Sequence, residues 1–304
     1  MPPLLKALRP SQWIKNLIVL AAYFFARWDP SQKAYVTAPG AVWRVLGAAL
    51  LFCLVSSAIY LINDIRDVDA DRAHPVKRRR PIAAGEVGIG TAWVMALALL
   101  LVGLGGAFVL SASFSLLACG YVALQLAYTF GLKRVALLDV FMIATGFVMR
   151  AIAGALVIDV RISPWLLLCT FLLALFLGLC KRRHEKRLLA DSDAQQHREA
   201  LSGYEEKLLD MLIGIAGAAT VVAYAIYTLS PETVNRFGTS GLGLTIPFVV
   251  FGVFRYLDLV YRHEQGGRPE KVLLTDRTLI ATVLLYALTA LAVLLTAHQP
   301  VLGG

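Results

Sequence analysis

Nine apolar stretches, at 13–27, 42–62, 89–110, 113–131, 137–158, 163–180, 209–229, 242–261 and 278–297, leave this chain few ways to fold. Each is near the ~20 residues that cross a hydrocarbon core of ~30 Å as a helix. Such runs are too long and too frequent for the interior of a water-soluble domain. Transmembrane strands alternate apolar and polar residues, whereas the run from Ala96 to Val102 is apolar on every side, which excludes a barrel. The expected fold is therefore an all-α polytopic membrane protein of about nine transmembrane helices. No linker or low-complexity segment divides it, so residues 1–304 read as one domain.

The charge pattern orients these helices. The chain carries 29 Lys and Arg against 20 Asp and Glu, a net charge of +9. In a soluble protein that excess would suggest nucleic acid, but here 23 of the 29 fall on alternate polar segments. The opposite set holds only Arg27, Lys33, Arg44, Arg161 and Arg236, and Arg150 alone sits inside a span. The positive-inside rule then places the N-terminus and the even-numbered loops in the cytoplasm, with the protein a multi-pass resident of the inner (plasma) membrane and no nucleic-acid partner. Connections on the other side are short, as at Ser111-Ala112-Ser113, so chemistry is expected on the cytoplasmic face. The first stretch ends at Phe24-Phe25-Ala26-Arg27-Trp28 without a small-residue cleavage pattern and reads as a retained span. Cys53, Cys119, Cys169 and Cys180 lie in or at the end of apolar spans without paired spacing and read as inert core residues.

The most informative polar segment follows the second stretch and runs Asn63-Asp64-Ile65-Arg66-Asp67-Val68-Asp69-Ala70-Asp71-Arg72. On a continuous helix Asn63, Asp67 and Asp71 share one face with Asp64 beside them, which predicts three carboxylates converging on one spot. Their mutual repulsion is tolerated where a hard cation fills the gap, and Mg²⁺ takes one or two carboxylates together with substrate phosphates. Asp69 points elsewhere. A solvated loop whose acids offset Arg66 and Arg72 is the plainer alternative, and acids abutting a span weigh against it. Six residues after Asp71 comes Lys77-Arg78-Arg79-Arg80-Pro81, closed by Gly85, a run suited to an anion bridged to metal and also to anchoring the next span.

Asn-Asp-x-x-Asp-x-x-x-Asp at the end of a second span, followed by a basic stretch ending Arg80-Pro81-Ile82 and a glycine, resembles the first signature of the UbiA-type intramembrane prenyltransferase superfamily. Arg9-Pro10-Ser11-Gln12-Trp13-Ile14-Lys15-Asn16, and Tyr128 with Lys133, resemble other recurring elements of that superfamily, and its nine-helix bundle agrees with the span count. The second Asp-rich motif of its aromatic prenyltransferases is missing between the sixth and seventh spans. There the chain reads Lys181-Arg182-Arg183-His184-Glu185-Lys186-Arg187, and the later acids Asp191 and Asp193 lack the motif's spacing. Cations in that place suit a site receiving two separate polyanions.

Among branches of the superfamily this combination resembles the decaprenyl-phosphate phosphoribosyltransferases. That resemblance implies 5-phosphoribosyl diphosphate as donor, a polyprenyl phosphate as acceptor and a place in cell envelope biosynthesis. It implies Mg²⁺ on Asn63, Asp67 and Asp71, with Asp64 assisting. Lys77, Arg79 and Arg80 would neutralise the leaving diphosphate, and Lys15, Lys133, Lys181 and Arg182 would bind the donor's 5-phosphate or the lipid phosphate. A lipid phosphate is ionised near neutral pH, so no general base is expected.

Other residues keep two readings. Glu185 either orients Arg182 or binds ribose hydroxyls, or else pairs with Lys181 at spacing four. Arg150 either braces the bundle against Asp139 or faces the cavity, with the cavity favoured. His184 reads as an interface residue, and Arg255, Tyr256, Asp258, Glu270 and Asp276 as boundary residues. The small residues at Gly103-Leu104-Gly105-Gly106 and Gly214-Ile215-Ala216-Gly217 read as helix packing. An aromatic prenyltransferase and a lipid or small-molecule transporter are the rival functions, and a homo-oligomer is compatible with the chain. A CDP-alcohol phosphotransferase is set aside because its Asp-Gly opening is absent.

Overall fold

A computed structural model describes residues 1–190, 203–263, 265–267 and 269–297, so Asp191 and Asp193 lie outside the described residues. Among the described residues there is no strand. Among the described residues eight helices are long and apolar enough to cross a membrane. In chain order they are α1 (Ala41–Arg66), α2 (Ile89–Leu110), α3 (Ala112–Phe130), α4 (Leu138–Val157), α5 (Pro164–Ala190), α6 (Glu206–Leu229), α7 (Ile246–Arg262, entered through a 3₁₀ turn at Gly241–Thr245) and α8 (Arg277–Ala297). Leu101, Val109 and Leu116 are among the most exposed side chains, the inverse of a water-soluble surface and the pattern of an integral membrane protein.

The first apolar stretch is built differently. It runs as a 3₁₀ helix over Pro10–Leu20 and continues as an α-helix over Ala21–Arg27. At a rise of about 2.0 Å per residue for the former and about 1.5 Å for the latter, the two cover about 32 Å, enough to serve as the remaining crossing. The reason lies in its neighbours. A Cβ built on Gly154 of α4 would fall 1.8 Å from the Val19 carbonyl oxygen, so the two backbones touch. On the other side the Trp13 indole donates to Ser57 Oγ at 2.9 Å, and Ser57 Oγ donates to the Leu8 carbonyl at 3.0 Å. The segment is thus wedged between α1 and α4, and the tighter coil fits a gap that a full α-helix would overfill.

Two large apolar clusters build most of the core, with a small third around Phe237, Leu242 and Leu294. One joins the first segment to α1–α4 around Phe52, whose ring meets Phe114 and Tyr121 with centroids 5.8 and 5.2 Å apart. The other joins α5–α8 around Phe176, Leu209 and Tyr256. Gly103 and Gly106 of α2 lie close against Val55 and Leu51 of α1, and Gly217 lies against Phe176, as small-residue packing predicts. Gly105 and Gly214 have open space beside them instead. Cys53 and Cys180 are buried, Cys169 is half-buried, and Cys119 is exposed on the outer face of α3, against the expectation of a core residue. A cavity opens between the two clusters.

Candidate active site

The acidic row departs from a continuous helix. α1 ends at Arg66, Asp67 leaves helical geometry at φ −99° and ψ 11°, and a new short helix, Val68–Ala73, carries Asp71. The chain then turns through the basic run to Gly85, whose φ of +76° is the left-handed conformation that glycine adopts without strain. The break sends the acids to different partners. Asp67 accepts from Lys133 Nζ, at 2.6 Å for Oδ2. Arg80 Nη1 bridges Asp64 Oδ1 at 3.0 Å and Asp71 Oδ2 at 2.6 Å, and Arg9 closes on Asp64 from the first segment.

This corrects the expectation of three converging carboxylates. Asp64, 2% exposed, lies behind the row and is held by two arginines, and Arg79 points to the exterior. Among the described residues no group of three His, Cys, Asp or Glu side chains is placed to hold a metal by itself. The physical cause is repulsion: close to a membrane-facing core the acids gather only where a cation neutralises them, Asp64 and Asp71 around Arg80 and Asp67 apart on Lys133. Burial raises the Asp71 carboxyl above its ordinary value, with Arg80 opposing and the Asp64 charge adding to the rise.

The other twelve singled-out residues line one cavity of about 820 Å³. Asn63, Asp67 and Asp71 form one wall with Lys77 and Arg80. Tyr128 and Lys133 come from the end of α3 and the turn after it, Lys181, Arg182 and Glu185 from α5, Arg150 from α4 and Lys15 from the first segment. The Asn63 amide oxygen, 3.4 Å from Lys133 Nζ, and the carboxylates of Asp67 and Asp71 share that wall. This hard-oxygen set fits Mg²⁺ shared with a diphosphate, which needs only one or two protein carboxylates beside phosphate oxygens and water.

On the facing wall Arg182 is 1% exposed and paired with two carboxylates. Its Nε meets Asp139, its Nη1 meets Glu185, and its Nη2 lies 3.4 Å from the Tyr128 hydroxyl. Tyr204, just past the undescribed segment, donates to Asp139 Oδ1 at 2.7 Å and accepts from the Leu137 amide at 2.7 Å. One open reading is thereby decided, since Asp139 braces Arg182 and not Arg150, and Glu185 pairs with Arg182 at spacing three.

Residues that the sequence reading passed over complete the cavity. Glu270, expected at a boundary, stands in its wall and accepts from Gln12 Nε2 at 3.0 Å. Burial by itself would raise its carboxyl, but the nearby Lys15, Gln12 and Lys181 hold it below the ordinary value. Arg9, His74, Gln125 and Arg134 also line the cavity. The signal for Glu270 was weak, because its partners are brought to it only by the fold; Gln12, within the Arg9–Asn16 motif, was the one available pointer. In contrast, Arg255 pairs with Asp258 and Asp276 away from the cavity, as boundary residues would. In all, nine Lys and Arg and four carboxylates line the space.

A model of the UbiA prenyltransferase family matches residues 17–266. The chain belongs to the UbiA prenyltransferase family. It is 39% identical over 286 residues to a decaprenyl-phosphate phosphoribosyltransferase of Mycolicibacterium smegmatis, covering 91% of this chain and 87% of that protein. A protein of the same name from Corynebacterium glutamicum is 36% identical over 283 residues, covering 91% and 82%. Among solved structures, a UbiA homolog from Archaeoglobus fulgidus bound to DMAPP and Mg²⁺ superposes with a TM-score of 0.70 at 19% identity, covering 97% of this chain and 99% of that one. At that identity the likeness shows the fold. This UbiA-family chain therefore keeps the family's bundle, with more cations than carboxylates in its cavity wall.

Proposed function

We propose that this protein transfers the 5-phosphoribosyl group of 5-phosphoribosyl diphosphate to a polyprenyl phosphate and releases diphosphate, at the cytoplasmic face of the plasma membrane and with Mg²⁺. The observation that carries the reading is the charge of the cavity, nine Lys and Arg against four carboxylates. The donor carries about five negative charges near neutral pH, about three once one divalent cation is bound, and a lipid phosphate monoester adds about two. Asp64, on Arg9 and Arg80, and Asp139, on Arg182, answer part of that surplus from behind the wall, and the remaining excess of cations faces these two anions. An isoprenyl diphosphate on its metal ions beside an uncharged aromatic acceptor would leave most of the surplus unanswered. The names of the relatives at 36–39% identity support the same choice, and the Mg²⁺ in the Archaeoglobus structure supports the metal.

Asn63, Asp67 and Asp71 would hold the metal, which when bound supplies neutralising charge to the departing diphosphate. Lys133 and Arg80, which pair with Asp67 and Asp71, exchange a carboxylate for phosphate oxygens as the donor enters, and Lys77 joins them. Glu185, aimed by Arg182, accepts from the ribose hydroxyls. An oxygen of the ionised lipid phosphate attacks the anomeric carbon, the carbon–oxygen bond to diphosphate breaks, and its electron pair leaves with diphosphate. No proton has to be removed from the nucleophile, so catalysis rests on positioning and electrostatic stabilisation.

The test is transfer of radiolabel from 5-phosphoribosyl diphosphate into organic-extractable polyprenyl phosphate by purified protein, with and without Mg²⁺ and with Asp67→Ala. Label entering the lipid only with Mg²⁺ and Asp67 is expected. Consumption of an isoprenyl diphosphate with an aromatic acceptor, and no movement of phosphoribosyl label, would overturn the reading.

A further inference from the structure

Of the buried cations among the described residues, Arg182 and Arg183 meet carboxylates and Arg150 does not. It is 5% exposed and lines the cavity from within a membrane-crossing helix. Among the described residues no carboxylate pairs with it. Its Nε donates to Asn16 Oδ1 at 2.8 Å, its Nη1 to the Gly146 carbonyl at 2.9 Å, and its Nη2 to the Tyr121 hydroxyl at 2.5 Å. Tyr121 and Phe147 hold the guanidinium carbon 4.8 and 5.3 Å from their ring centres. Asn16 is itself fixed, because its amide nitrogen donates to Ser56 Oγ at 3.2 Å. Three of five N–H groups are thus spent on neutral acceptors, and one on each terminal nitrogen remains. An arginine positioned by so many groups, and matched by no anion of its own chain, is complete only when an anion enters the cavity.

Two substrate groups share the chemistry of a phosphate monoester, the donor's 5-phosphate and the head of the acceptor lipid. Place decides between them. Ser56 lies seven residues, about 10 Å, before Asn63 on α1, and Arg150, whose partner Asn16 is bonded to Ser56, stands on that deeper side of the metal-binding wall. That depth accommodates the ribose together with an attacking phosphate at ~3–3.5 Å from the anomeric carbon. Beside Arg150 stands the Phe147 ring, and the same cavity presents Ile18, Ile143, Leu166, Leu173 and Leu177, where an isoprenoid tail is at home and a sugar diphosphate is not.

We infer that Arg150, oriented by Asn16 and Tyr121, is the intramembrane receptor for the phosphate of the acceptor lipid and selects a polyprenyl phosphate over the corresponding alcohol. The inference rests on the proposed function for the attacking role of that phosphate, but the binding it asserts is testable without turnover.

The experiment compares the wild-type chain, Arg150→Gln and Tyr121→Phe, purified at full length in detergent, in two assays. In the first, KM is measured separately for 5-phosphoribosyl diphosphate and for polyprenyl phosphate. Arg150→Gln is expected to raise the lipid KM at least tenfold and to change the donor KM less than twofold. In the second, which needs no donor, displacement of a labelled short-chain prenyl phosphate by unlabelled prenyl phosphate or prenol is measured. Wild type should favour the phosphate at least tenfold, and Arg150→Gln should lose that preference. Should wild type transfer no phosphoribosyl label yet show this preference and its loss in the variant, the proposed function falls and the lipid-phosphate site stands. A preference kept intact in Arg150→Gln, or a KM effect on the donor alone, would overturn the inference. If Arg150→Gln does not fold, Tyr121→Phe decides the matter. It should raise the lipid KM severalfold with the donor KM unmoved, and an unchanged lipid KM would overturn the inference.

Discussion

Arg150 and Arg182 are both buried arginines lining the same cavity, and they are built to opposite ends. Arg182, at the charged end, is enclosed by Asp139 and Glu185, with Tyr204 securing Asp139 in turn. Arg150, deeper among apolar side chains, meets only an amide, a backbone carbonyl and a phenol. The first is a closed structural pair and the second an open one. A buried charge is therefore not by itself a sign of function: what separates a brace from a receptor is whether the chain supplies the counter-charge.

The comparison breaks most visibly at Asp139. This carboxylate is 0% exposed, and Asp139→Ala leaves Arg182 with Glu185 as its one remaining carboxylate among the described residues while releasing Tyr204. Breaking a buried pair from one side costs about 3–5 kcal/mol, so a large fall in thermal unfolding temperature in detergent is expected. Arg150→Met orphans no carboxylate and should leave that temperature within a few degrees while label transfer collapses. A large loss of stability in Arg150→Met would erase the distinction.

Asp67→Asn tests the mouth of the cavity on the same terms. Asp67 is 28% exposed and shared with Lys133, so its loss should hardly move stability. Activity should fall about 10²–10³-fold, as when a group facing developing charge is removed, measured as initial rate of label transfer. Next in size is Gly154→Ala. Its new methyl group would meet the Val19 carbonyl, and overpacking of this kind costs about 1–3 kcal/mol. Because Val19 and Asn16 share one 3₁₀ segment, this variant should also raise the lipid KM more than the donor KM.

The smallest effect concerns Glu270. Its folded carboxyl titrates below its ordinary value of 4.5, so its interactions stabilise the fold fully above that value and are lost as pH falls through the depressed one. Glu270→Gln should remove that part of the acid destabilisation, seen as a flatter dependence of the unfolding temperature on pH below 4.5. An acid limb identical to wild type would show that Lys15 and Lys181 gain nothing from this carboxylate.

Much of this was legible in the order of residues. Twenty apolar residues in a row have one way to satisfy their backbone in lipid, so the spans and the all-α class followed directly. Asn63, Asp67, Asp71, Lys77 and Arg80 were likewise visible, because they are close in sequence and chemically conspicuous. The first crossing was misjudged in detail, since its 3₁₀ form depends on the absence of a side chain at Gly154, 135 positions from Val19.

What the sequence determined, then, was the solvent the protein lives in, the end of the bundle that carries its charge and the residue types available there. These are local properties, set by composition and spacing. The tertiary structure decided which charges pair. It turned Asp64 away from the cavity, gave Asp139 to Arg182, brought Glu270 to Gln12 and left Arg150 with neutral partners. Pairing across 16 to 258 positions is a matter of which surfaces meet when helices pack. No periodicity along the chain encodes that distance, and Coulomb energy at contact settles it only after the core has formed.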